Sequence, residues 1–125
     1  MQEPDPNGGP LRAYTDPGYV PLCATLAEIR ANIDRLDDQI VRLIAERAMY
    51  VKDAARFKRD AYQVSAPARQ AEVFEKARQL AHRHDRGFEN LDQVVDATYR
   101  AMVAAFIANE QHYFNHMHRI GDQSE

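Results

Sequence analysis

The chain has no tryptophan, one cysteine and, outside its first two dozen residues, almost no proline or glycine. A single cysteine, Cys23, excludes an intrachain disulfide and a cysteine-based zinc cluster, and it suits a reducing compartment. Basic excess is missing too: 16 Lys and Arg face 19 Asp and Glu, a net charge of −3. General nucleic-acid binding normally needs the opposite sign, so no nucleic-acid partner is expected. No apolar run approaches the ~18 residues of a membrane span, and no membrane association is expected. The first residues, "MQEPDPNGGPLRAYTDPGYVP", lack the basic start and apolar centre of a signal peptide. These absences together predict a cytoplasmic, soluble protein. Glycine-rich phosphate loops, dinucleotide fingerprints, haem motifs and nucleophile-plus-base pairs are absent as well, so no cofactor and no covalent step are expected.

What is present is helical. Ala, Arg, Glu and Gln are plentiful, and 125 residues make one domain. Residues 1–24 hold five of the six prolines and three of the five glycines, and are expected to form a flexible arm. The helical domain is expected over 25–118, and 119–125 reads as a polar tail that frays. Thr25 is a candidate N-cap, with Glu28 completing a capping box. From there the spacing predicts a first helix from Leu26 to Arg59, with an apolar stripe through Ile29, Ile33, Leu36, Ile40, Leu43, Val51 and Ala54. Ser65 is expected to cap a second helix over 66–84, with Pro67 in its first turn. Gly87 can take a left-handed conformation in the turn that follows. A third helix is expected over 91–117, its stripe running through Val95, Tyr99, Met102, Val103, Phe106, Ile107, Glu110, Tyr113 or Phe114, and Met117. The predicted fold is all-α, with long first and third helices. A lone helix of that length has too few neighbours in its own chain to cover its stripe. An intertwined homodimer, in which first helices pair much as in a coiled coil, would cover it.

Three charged residues interrupt the stripes: Arg47, Lys58 and Glu110. A charge on a buried face is costly unless it is paired. On one continuous helix Arg47 and Lys58 would differ in direction by ~20° and lie ~16 Å apart, leaving room for a small dianion. Ala54 and Ala55 between them remove bulk, and Glu110 could face the same space. The plainer alternative is that both basic stems lie along apolar surface with their heads in water. Arg30, ~25 Å before Arg47 along the helix, cannot reach this gap in its own chain but could enter the partner's. His112 and His116 have i,i+4 spacing, yet nothing nearby completes a zinc ligand set, so no metal is expected.

The stretches "LAEIRANIDRLDDQIVRLIAERAMYVKDAARFKRD", "VSAPARQAEVFEKAR" and "FIANEQHYF" resemble the all-helical chorismate mutases, and look most like their isochorismate-pyruvate lyase branch. The likeness covers about residues 24–115. It implies a three-helix protomer, an intertwined dimer with shared sites, and a small dianionic substrate. By the same resemblance Arg47 would bind a substrate carboxylate, and Lys58 the ether oxygen and a carboxylate. Arg30 would come from the partner chain, Arg69 from the start of the second helix, and Gln70 would meet a ring hydroxyl. Glu110 would lie near the ether oxygen, although a shift of one residue would put Gln111 there instead. The activities implied are rearrangement of chorismate to prephenate or, alternatively, release of pyruvate from isochorismate to leave salicylate. A non-catalytic dimeric helical binding protein is the third possibility.

Overall fold

The computed structural model describes residues 1–121, so the polar tail expected over 119–125 lies largely outside the described residues. Among those residues there are helices and no strands. α1 covers Leu26–Ala54 and a 3-10 turn follows at Ala55–Phe57. A short α2 covers Ala61–Ser65, α3 covers Pro67–His84, and α4 covers Leu91–His116. The chain divides into two compact units, Met1–Glu46 and Arg47–Glu125.

In the first unit Thr25 begins α1 as expected: its hydroxyl oxygen accepts from the Glu28 amide at 3.2 Å. The other half of the box differs. The Thr25 hydroxyl donates to the Glu28 carboxylate at 3.2 Å, in place of a bond from the Thr25 amide. The arm supplies a further cap, because the Pro6 carbonyl accepts from the Ala27 amide at 2.8 Å. That satisfies one of the first-turn N–H groups that an α-helix leaves without a partner. Along α1 the apolar stripe is open: Ile29, Ile33, Leu36, Ile40 and Leu43 are 40–56% exposed.

The second unit corrects the expected first helix, which stops at Ala54 and not at Arg59. Asp60 explains the break. Its side chain accepts from the Gln63 amide at 2.9 Å and caps α2. A capping residue needs an extended backbone, and Asp60 takes φ −153°, ψ 177°. Lys58 is already extended at φ −100°, ψ 143°. It therefore reaches its position from a non-helical segment, and the helical spacing from Arg47 does not govern it. Ser65 is corrected as well. It closes α2, and Ala66 caps α3 in the left-handed region at φ 45° without a side-chain bond. Pro67 does occupy the first turn of α3.

α3 packs along α4, and α2 and the 3-10 turn also lie against α4. The contact is built from small residues: Ala55, Val64, Ala77, Ala81 and Val103 are buried. Asp85 accepts from the Gly87 and Phe88 amides, and Gly87 takes φ 109°, which turns the chain between α3 and α4. On α4 the predicted stripe faces inward as far as Phe114, which is partly covered while Tyr113 is exposed; Met117, expected to end the stripe, lies just past the helix as its extended C-cap and is exposed. Arg78 joins the two helices by donating to Asp96 at 2.9 Å, and Arg100 donates to the same carboxylate at 2.8 Å.

Candidate active site

Where the end of α1, the Lys58 segment, α2, α3 and α4 meet, the second unit forms a cavity of about 310 Å³ that is open to solvent on one side. Each wall has a local cause. Arg47 and Val51 come from the last two turns of α1, Val64 and Ser65 from the end of α2, Arg69 and Gln70 from the first turn of α3, and Glu110 from α4. Ala54 lines the cavity as expected, whereas Ala55 is buried in the packing.

Glu110 is the one buried charged residue among the described residues, at 5% exposure. Lys58 meets it, donating from Nζ to Oε2 at 2.8 Å. The lysine side chain is 22% exposed, so the pair is largely withdrawn from water. A short, charge-assisted bond offsets the desolvation that both groups suffer there. Arg47 is placed differently. Its guanidinium carbon lies 5.3 Å from the centre of the Phe106 ring. It makes no ion pair with any described residue. Lys58 is thus paired within the protein, whereas Arg47 makes no ion pair with any described residue.

Gln70 shapes the α2–α3 side of the cavity. Both of its N–H groups point back along the chain, with Nε2 2.6 Å from the Ser65 carbonyl and 3.4 Å from the Ser65 hydroxyl. The oxygen end of this amide remains for a hydroxyl donor. Arg69 lines the cavity but its guanidinium is held outward, donating to Glu72 at 2.9 Å with the side chain 68% exposed. Gln111 is turned away from the cavity and donates to the Ala61 carbonyl at 2.9 Å. Of the two neighbours, Glu110 is the one that lines the cavity. Arg30 belongs to the first unit, is exposed, and is not among the lining residues. Among the described residues no three His, Cys, Asp or Glu side chains are grouped to hold a metal ion.

Tyr50, Val73, Phe106 and Ile107 also line the cavity and were not singled out from the sequence as site residues. As apolar residues at helical spacing they are indistinguishable from core until the packing of α3 on α4 is known. The arrangement suits a compact, anionic, partly apolar guest: greasy walls, fixed positive charge, and two polar groups to orient it.

Residues 29–111 match the family described as chorismate mutase type II. The chain belongs to that family. A chorismate mutase from Methanocaldococcus jannaschii is 38% identical over 61 residues, 48% of this chain and 62% of that protein. An isochorismate pyruvate lyase from Pseudomonas aeruginosa is 46% identical over 57 residues, 45% of this chain and 56% of that protein. A bifunctional chorismate mutase/prephenate dehydratase from Aquifex aeolicus is 33% identical over 87 residues, 69% of this chain and 24% of that longer protein. The alignments therefore span less than two thirds of these curated relatives. The membership agrees with the all-helical fold, and no helix among the described residues is long and apolar enough to cross a membrane.

Proposed function

We propose that the chain is a chorismate mutase-type enzyme acting on a small cyclic dianion in the cytoplasm, and that chorismate, rearranged to prephenate, is its substrate. The observation that carries this is Arg47, a cavity guanidinium with no ion pair to any described residue, beside the Lys58–Glu110 pair. Arg47 would take a substrate carboxylate through two parallel hydrogen bonds. The rearrangement breaks an ether C–O bond as a C–C bond forms within one molecule, so it needs neither a nucleophile nor a cofactor. It needs the side chain of the substrate held over the ring, which removes entropy from the barrier. It also needs fixed positive charge where the breaking C–O bond gathers electron density, and Lys58 would supply it. Gln70 would accept from the ring hydroxyl, and Arg69 would turn inward to a carboxylate.

Glu110 would hold Lys58 in place through the 2.8 Å ion pair. Glu110→Gln keeps a hydrogen-bonding group there but removes the charge, and kcat/KM should fall; an unchanged value in that variant removes Glu110 from this role.

The reading includes a homodimer with shared sites. The exposed α1 stripe supports a second copy as its cover, and Arg30 would then reach the cavity of the partner chain. The identity to the Pseudomonas lyase favours a second reading, release of pyruvate from isochorismate to give salicylate, which places nearly the same demands on the site. Supplying chorismate and isochorismate separately and separating the products by chromatography decides between them. Prephenate, lost in Arg47→Ala, supports the mutase; salicylate and pyruvate as the dominant products move the reading to the lyase. Neither product from a folded dimer overturns both and leaves a binding protein.

A further inference from the structure

We propose that Phe106 is a positioning residue for Arg47, holding the guanidinium on its ring face so that the donors stay free for the substrate. The proposal rests on the reading of Arg47 as the carboxylate-binding cation.

The cavity poses a competition. Besides Arg69, which is held outward by Glu72, it is lined by two cations, Arg47 and Lys58, and one buried carboxylate, Glu110. Each cation is stabilised by pairing with that carboxylate, and a guanidinium is the better geometric match, through its two-pronged fork. The structure has the opposite assignment: Lys58 bonds Glu110 at 2.8 Å, and Arg47 lies over Phe106 at 5.3 Å. That distance is inside the ~6 Å reach of a cation–π contact, which strengthens as water is excluded. Arg47 is partly buried and Phe106 is partly covered, so the contact is shielded. A guanidinium resting on a ring face also keeps all its in-plane N–H groups for another partner, whereas one paired with Glu110 would have committed two of them and its charge to the protein. The spacing on α4 makes this possible. Phe106 and Glu110 are four residues apart, one turn, so one helix face offers a ring to Arg47 and a carboxylate to Lys58.

With Leu at position 106 the ring face is lost while an apolar side chain remains. Arg47 would then turn to water or compete for Glu110, and either outcome weakens substrate capture before it weakens the chemical step. Phe106→Leu should raise KM for chorismate or isochorismate about 2- to 30-fold, the range of a cation–π contact. It should change kcat much less, and Phe106→Tyr, which keeps the face, should stay near wild type. In an Arg47→Ala background, Phe106→Leu should add no further loss. A second readout needs no turnover. With 15N-labelled arginine, the Arg47 Nε proton should show an upfield ring-current shift in the wild type and in Phe106→Tyr. That shift should vanish in Phe106→Leu.

A shift that survives Phe106→Leu, equal losses in the Leu and Tyr variants, or an undiminished loss in the Arg47→Ala background would each overturn the proposal. Wild-type protein that turns over neither substrate would refute the proposed function alone, and the arginine spectrum would still decide whether Phe106 holds Arg47.

Discussion

Two helix faces in this protein carry the same kind of apolar pattern and have opposite fates. On α4, Val103 is buried and Val95, Tyr99, Met102, Phe106, Ile107 and Phe114 are partly or largely covered, because α3, α2 and the 3-10 turn pack there. On α1, Ile29, Ile33, Leu36, Ile40 and Leu43 remain open. Periodicity says that a face wants to be buried and does not say against what. The α4 face finds its cover within the chain and builds a cavity there. The α1 face stays open among the described residues, which is the ground for the second copy proposed as its cover.

The largest expected effect sharpens the α4 side of this contrast. Removing the carboxylate-binding cation, Arg47→Ala, should lower kcat/KM by roughly 100-fold or more, the size expected for two charge-assisted hydrogen bonds of about 1.5 kcal/mol or more each. Its melting temperature should fall only by what the Arg47–Phe106 contact contributes, about 0.5–2 kcal/mol, since Arg47 makes no ion pair with any described residue. An equally large fall in stability would mean that Arg47 is part of the packing. The next effect tests the α1 side. Ile33→Glu with Ile40→Glu places two charges on the open stripe and should convert a dimer into a monomer in light scattering after gel filtration. Activity should fall with it if Arg30 acts across the interface. A variant that is still dimeric would break the contrast, because the stripe would then not be the interface.

A smaller effect belongs to the covered region. Val64, 2% exposed, ties α2 into the packing and lines the cavity. Val64→Ala should cost about 1–2.5 kcal/mol in urea unfolding, through lost burial and the space left behind. The smallest effect concerns Asp96. The hydrogen bond from Arg100 above all, joined by that from Arg78, holds its carboxyl below the usual aspartate range, against the opposing effect of desolvation. A carboxyl held low in the folded state adds stability above its unfolded pKa, near 4, and that stability is lost as pH falls through the folded value. Asp96→Asn should therefore lower the melting temperature slightly at neutral pH, with the gap to wild type closing below about pH 4. A gap that is constant with pH would assign the loss to packing.

Much of this was legible in the sequence, and the failures have one cause. Helical spacing located three main helices and the α4 stripe, and placed Glu110 on the face that lines the cavity. It also marked Arg47, whose position near the end of a regular helix follows from counting. Lys58 was marked as a site residue for the wrong reason. Counting by 100° assumes that the helix continues, and a local bond from Asp60 to the Gln63 amide ends it. Ser65 was misplaced in the same way, since Ala66 took the left-handed junction between α2 and α3. Side-chain capping choices of this kind differ by about 1 kcal/mol and are settled by how the flanking segments pack.

The sequence by itself determined the helical class, the inward face of α4, an α1 stripe that needs a cover, and a charge inventory suited to a dianion. These follow from composition and period, which act along one chain. Only the tertiary structure decided which cation took the one buried carboxylate and which was left on an aromatic face. That depends on distances between residues about 50 to 60 positions apart, and a periodic pattern carries no information about such distances until the helices pack.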